Sequence, residues 1–459
     1  MSTMSEDKKK QICHLTSIAF GHRKNILNLF KENHEPTRLE AINELGRIGD
    51  IATIPKFFKL VFLDDSDVAY SAITSIATIM ERTPLKEKIQ LDRIIRQHSS
   101  RAKWNNEYEY PLIGTKEFDS INGYGEFAGV ILGIISCDSD GHVREEAIKR
   151  LQTYLSNETF VFVVLRLNDW VPQVRNSAYS LMEKYLTIEF SDIVFRHLNM
   201  IQHLEKMQRC VHVPLINRAM DILLAPNNKV MLLRFAKDKD YNHRRNALRL
   251  LSRMPELGIE ELTNLFARDR DIVIRKGLLD ILLSSKIEWK FLFQNFSQDK
   301  HSSIRKIILQ LLCDDHSEEA KLYIEKYLCD PWAELRAEAR TALKNYYNYE
   351  IDYLNFYIDK LSNYRCPKEL ICAIDELGRL GSKNHTDKLR PFLLDQNKKI
   401  IATALNSLGK IDFQGHLNEF INHLKSESVS LSTTVRKIVE KNILAVPVIE
   451  IEKIINSDI

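Results

Sequence analysis

The pattern richest in chemical groups is an aspartate, an arginine six positions later, and a small or apolar residue three positions beyond that. It occurs as Asp138/Arg144/Ala147, Asp169/Arg175/Ala178, Asp238/Arg244/Ala247, Asp269/Arg275/Leu278, Asp299/Arg305/Ile308 and Asp330/Arg336/Ala339. A row of arginines could hold anionic ligands, and an acid just before a helix could cap its free N–H groups. The position after each arginine is filled by Glu145, Asn176, Arg245, Lys276, Lys306 and Ala337. Arg249 lies four residues beyond Arg245 and so shares its helical face. With helices packed about 8–10 Å apart, Arg245, Arg249, Lys276 and Lys306 would form a basic stripe able to grip phosphates or an acidic protein segment. Leu233–Met254 holds seven Lys/Arg against two Asp, which strengthens that reading; the alternative is a solvated helix face.

Other chemistries find little support. The sequence contains no GxSxG, Walker loop, CxxC pair or HExxH. Gly123-Tyr-Gly125-Glu-Phe-Ala-Gly129 has some of the glycines of a dinucleotide loop, but no buried strand precedes it to aim the turn. His197, His203 and His212 are six and nine apart, not the three or four that place metal ligands on one helical face. Seven cysteines without regular spacing read as reduced thiols, and Cys366 and Cys372 fit no common zinc site. No catalytic residue, metal or cofactor is expected.

The elements that must position these groups follow from the period. The small residue of the pattern recurs at Ala41, Ala72, Ala147, Ala178, Ala247, Leu278, Ile308, Ala339, Ala373, Ala404 and Val439, at steps of 30–35 apart from two double gaps. This makes 11 visible repeats and as many as 13. In one copy Val143, Ala147, Ile148 and Leu151 fall on one helical face, with Asp138 or Asp140 where a cap belongs. Pro36, Pro172, Pro331 and Pro367 sit in the expected first turn of this second helix. A first helix precedes it, as in residues 54–62 or 387–394. Such a hairpin cannot bury both apolar faces alone, so the chain is predicted to be an all-α solenoid of stacked hairpins.

Composition agrees. Only 15 Gly and 12 Pro in 459 residues are too few for the turns of an all-β fold. Lys plus Arg is 65 and Asp plus Glu is 62, a net charge of +3 that neither demands nor forbids an acidic partner. The N-terminus lacks a signal-peptide core, and the apolar run 127–137 is far shorter than the ~20 residues of a spanning helix. A cytoplasmic protein without membrane attachment is expected.

Ala41-Ile-Asn-Glu-Leu45-Gly46-Arg-Ile48-Gly49-Asp50, Ala373-Ile-Asp-Glu-Leu377-Gly378-Arg-Leu380-Gly381 and, more weakly, Leu408-Gly409-Lys-Ile411-Asp412 resemble the HEAT repeat, in the short bacterial form also found in phycobiliprotein lyases. The resemblance covers roughly residues 30–80 and 137–445. It implies a curved superhelix with a concave ligand face, and it implies that the repeating Asp and Arg link neighbouring repeats in a structural ladder. HEAT-like di-iron hydroxylases use several His-Glu pairs, whereas this chain has one, at His34-Glu35. Asp169-Trp170 is similar to the acid-and-aromatic sites of HEAT-like DNA glycosylases, although Asp169 already has a capping explanation.

The expected organisation is one solenoid over residues 1–459. It comprises a capping helix in 1–30, repeats in 31–80, a degenerate repeat in 81–136, repeats in 137–189, degenerate repeats in 190–236, regular repeats in 237–445 and a cap in 446–459. The 81–136 segment begins with a helix over 85–98. It continues into an aromatic, glycine-bearing insertion over 99–125, where Trp104, Tyr108, Tyr110 and Tyr124 are candidate contact residues. Residues 193–207 are predicted as one extra helix. The functional expectation is a non-catalytic scaffold binding a protein partner, with nucleic acid on the basic stripe as the alternative and a bilin-lyase or base-repair enzyme behind both.

Overall fold

The structure is a computed structural model that describes residues 6–20, 37–102, 110–349, 351–424 and 428–446. His34, Glu35, Pro36, Trp104, Tyr108 and nearly all of the C-terminal cap lie outside these. Every element among the described residues is a helix, and none is long and apolar enough to cross a membrane. The chain is an α-solenoid. By its internal contacts it divides into two compact units, Met1–Leu262 and Thr263–Ile459.

Within each unit the first helix of a hairpin packs on its second helix, and second helices pack on each other. Ile54–Val61 lies on Ser66–Arg82, which stacks on Arg38–Ile48. In the second unit, Pro367–Leu380 stacks on Lys398–Ile411, and that helix on Val429–Lys441. The small residues of the repeat mark these contacts: Ala41, Ala72, Ala147, Ala178, Ala247, Ala339, Ala373 and Ala404 are all fully buried. At two junctions the helices approach more closely still. A Cβ on Gly46 would lie 2.5 Å from Ser75 Oγ, and one on Gly378 would lie 2.4 Å from Ser407 Oγ. Each serine hydroxyl instead donates to a carbonyl of the facing helix, Ser75 to Ile42 at 3.1 Å and Ser407 to Ile374 at 2.8 Å.

The Asp and Arg of the pattern form the fastening between repeats. Each aspartate stands two residues before the N-cap position. Thus Asp140 caps Gly141–Arg150 by accepting the His142 N–H, while Asp138 accepts the Asp140 N–H at 2.7 Å. The same contact occurs at Asp169, Asp238, Asp269, Asp299 and Asp330. Each arginine points inward, and its Nη1 donates to the carbonyl of its own aspartate, at 3.0 Å from Arg144 and Arg244 and 2.7 Å from Arg175, Arg275 and Arg305. Where the fork is completed, Nε and Nη2 reach the aspartate of the next repeat. The distances are 3.0 and 2.8 Å for Arg144 on Asp169, 2.6 and 3.0 Å for Arg275 on Asp299, and 2.7 and 2.8 Å for Arg305 on Asp330. Such bidentate charge-assisted bonds fix orientation as well as distance. Arg336, facing a repeat without the leading aspartate, uses the fully buried Glu376 at 2.6 Å together with Asp375. Arg175 precedes the degenerate segment 190–236; it is half-buried and has no carboxylate partner among the described residues.

Three sequence expectations need correction. The helix expected over 193–207 is broken at His197, whose backbone leaves helical geometry between Ser191–Arg196 and Leu198–His203. Its buried ring stacks on Phe160 and bonds Asn157 Oδ1 at 3.1 Å, which fixes the break. The helix expected over 387–394 is two 3-10 segments, Lys383–Lys388 and Arg390–Leu394, with Pro391 in the first turn of the second. The helix over 85–98 is instead a single turn, Leu85–Lys88, followed by Leu91–Ala102.

Two outcomes follow. Replacing Gly378 with Ala forces its Cβ against Ser407, including its backbone Cα at 2.7 Å, and should destabilise the chain by about 1–3 kcal/mol, read from urea unfolding. Arg275→Met leaves Asp299 buried without its cation and should cost about 3–5 kcal/mol. The same variant should change the acid response. Burial alone would raise the Asp299 carboxyl, but the Arg275 fork and the His301 N–H outweigh it and hold it below its usual value. A depressed carboxyl contributes stability above the unfolded-state pKa of about 3.9 and loses it as pH falls through the folded value. Arg275→Met should therefore show a shallower loss of unfolding free energy below about pH 4 than the parent chain.

Candidate ligand-binding face

With the repeat arginines turned inward, the residues beside them face outward. On Tyr241–Leu251, capped by Asp240 on the Asn242 N–H, Arg244, Ala247, Leu248, Leu250 and Leu251 are buried and Arg245 and Arg249 are exposed. Arg253, just past the helix, is exposed too. The three arginines recur at intervals of four residues, Arg245 and Arg249 on one side of the helix and Arg253 just past its end. Partial burial, then the nearby Arg253 and Arg245 charges, hold Arg249 below its usual pKa. Its one polar partner is neutral, Gln202 Oε1 at 3.4 Å. No carboxylate among the described residues pairs with Arg245, Arg249 or Arg253. Asn246, bonded to Asn199 Oδ1 at 3.0 Å, ties this helix to Leu198–His203.

Arg253 was missed in the sequence reading, although its spacing from Arg249 was the available signal. Lys276 and Lys306 belong to the second unit, on Ile272–Ser284 and Ser302–Asp315, and both are exposed. Lys276 has no carboxylate partner among the described residues, whereas Lys306 is ion-paired with Glu338 and so is not the free cation expected of it.

The aromatic insertion behaves differently from a presented loop. Tyr110 is only 2% exposed and stacks on Phe58 with centroids 5.3 Å apart, so it cannot serve as a surface contact. The Tyr124 hydroxyl donates to the Val61 carbonyl at 3.0 Å, and its ring packs at 6.4 Å from Phe62. Both rings thus cover the Ile54–Val61 hairpin. Gly125 carries a φ of 57°, the left-handed backbone that lets the chain turn before Ala128–Ile135.

The buried histidines His197 and His212 and the buried thiols Cys137 and Cys372 belong to the packed interior. Burial lowers His197 to about 4, and His212 shares a 2.6 Å bond with the Tyr179 hydroxyl. Burial pushes the Cys137 and Cys372 thiols up to about 12, which leaves them protonated and unreactive at neutral pH. The described residues contain no group of three His, Cys, Asp or Glu side chains placed to hold a metal ion.

No family model and no curated protein matches the chain. Among solved structures it is similar to an engineered protein at 14% identity, with 96% of each chain covered and a TM-score of 0.20. It is also similar to a chain in the structure of Kap95p bound to RanGDP, at 12% identity and a TM-score of 0.21. That match covers 85% of this chain and 50% of the other. The chain is a helical repeat protein, and the arginine ladder shows how its repeats are joined.

Proposed function

We propose that this chain is a non-catalytic scaffold, cytoplasmic and built of short HEAT-like repeats, that binds an acidic segment of a protein partner on the Arg245/Arg249/Arg253 face. The observation that carries this reading is that no carboxylate among the described residues pairs with those three cations, in a fold where the inward Arg144, Arg275, Arg305 and Arg336 are each paired with one. Crowded like charges oppose one another, and an anionic ligand relieves that opposition when it binds. The exposed Lys276, also without a carboxylate, supports nucleic acid as the second reading.

The two readings separate in one titration. A glutamate-rich peptide and a DNA duplex, each fluorescently labelled, would be followed by anisotropy between about 50 and 300 mM salt. The scaffold reading expects the peptide to bind, with affinity falling about tenfold or more in the Arg245→Glu/Arg249→Glu chain. Tighter binding of the duplex, with a steep salt slope, selects the second reading. Failure of both ligands, or equal binding by the charge-reversed chain, overturns the assignment of this face.

A further inference from the structure

A separate feature of the first unit is a cavity of about 470 Å³ between Leu91–Ala102, the turn after Asn157–Arg166, and Leu198–His203. Its floor is charged. The Arg275–Asp299 and Arg305–Asp330 rungs set one repeat arginine against one aspartate, but here Arg96 and Arg166 are added to the Arg144–Asp169 rung. Asp169 accepts from Arg144, from Arg166 Nη1 at 3.0 Å and from Arg96 at 3.5 Å. Asp92 accepts from Arg96 at 3.1 Å and from Arg166 Nη2. Three guanidiniums therefore share two carboxylates.

The added charge is deeply placed. The Arg166 side chain is 3% exposed, and its Nε–H has no partner among the described residues. The neighbouring Asn168 Oδ1 is also buried without one. A buried guanidinium without full compensation is costly, and so is an unmade hydrogen bond beside it. The ladder itself does not require this arrangement, because Arg275–Asp299 and Arg305–Asp330 close without any extra cation.

The walls are of the opposite character. Trp170 is 64% exposed and carries the Arg96 and Arg144 guanidiniums over its ring at 5.6 and 5.9 Å, which holds the ring at the cavity edge. Met200, Leu204 and Met207 supply an apolar side, and thioethers adapt to varied shapes. Arg209, anchored to the Asn168 carbonyl at 3.0 Å, is an exposed residue of the lining. The volume falls within the roughly 300–1,000 Å³ of small-molecule sites, and apolar walls with a few convergent polar groups are their usual make-up.

We propose that this cavity binds a small organic anion. One carboxylate or phosphate head would sit against Arg96, Arg166 and Arg209, and a flat apolar body would sit against Trp170, Met200 and Met207. The proposal does not depend on the Arg245/Arg249/Arg253 face, which lies on another helix and suits an extended acidic segment.

The full chain would be titrated with phenyl phosphate and with benzoate, followed by tryptophan fluorescence and calorimetry. Inorganic phosphate tests the head alone and phenol the body alone. Saturable binding of an aryl anion about tenfold or more tighter than either fragment is expected. Binding should weaken about tenfold in Arg96→Gln and in Arg209→Ala. Trp170→Leu should erase the advantage of the aryl anion over inorganic phosphate, and Arg245→Glu/Arg249→Glu should leave binding unchanged. Among the described residues the Arg209 side chain makes only a backbone hydrogen bond, so Arg209→Ala answers the question even if Arg96→Gln loses its helical circular dichroism. The proposal is overturned by the absence of saturable binding, or by wild-type affinity in Arg209→Ala or in a folded Arg96→Gln chain. Preference for phenyl phosphate or for benzoate decides which head the site takes.

Discussion

A buried guanidinium divided between two repeats is the interaction on which this structure depends. One of its nitrogens holds the carbonyl of the aspartate that begins its own second helix; the other two hold the aspartate that begins the next. The aspartate in turn receives the N–H of its own N-cap residue. One side chain therefore sets the start of a helix, its rotation and its distance to the neighbour. Burial of the pair is tolerated because nearly every donor and lone pair is used. Apolar packing of Ala and Leu would leave neighbouring hairpins free to slide, and the fork removes that freedom.

The outer surface is a consequence of the same geometry. Once the repeat arginine is committed inward, its neighbour in sequence must face outward, so the identity of that neighbour is free to serve binding. In the first unit this freedom has been used to gather Arg245 and Arg249 on one side of a helix, with Arg253 just past its end. The cavity beside Trp170 uses the inward direction instead, by adding Arg96 and Arg166 to an existing rung. Surface and interior thus offer positive charge of two kinds. The first is shallow and extended, suited to a chain. The second is recessed and mixed with apolar walls, suited to a compact molecule.

The fold was largely legible in the sequence because its period is written in residue types whose roles are narrow. A small residue where helices touch, an aspartate before a helix and an arginine one turn into it leave few alternatives. The site was less legible. Burial of Arg144 and Arg275 cannot be read from a polar symbol on a helix, and the substitution of Glu376 for a missing aspartate comes from mid-helix, where no cap pattern announces it. Arg96 and Arg166 lie outside the pattern; Arg166 meets Asp169 from three residues away on the preceding helix, whereas Arg96, in the degenerate repeat, meets it only through stacking. Tyr110 appeared as a loop aromatic because its covering partner, Phe58, is some fifty residues away in the chain. Lys306 appeared free because Glu338 belongs to the following repeat.

Arg175 gives the stack a grain. On its N-terminal side the rung from Arg144 to Asp169 is closed; at Arg175 the sequence passes into short, interrupted helices and no carboxylate answers it among the described residues. Hairpins joined by forks share strain, since tilting one pulls on the next through a rigid planar group. A junction held by side-chain packing, scattered hydrogen bonds and the exposed Arg218–Glu183 ion pair transmits less. Under load, compliance would gather at this seam within the first unit, and the blocks on either side would move as wholes. An unpaired arginine here is therefore a mechanical feature, setting where a stack of nearly identical parts yields first.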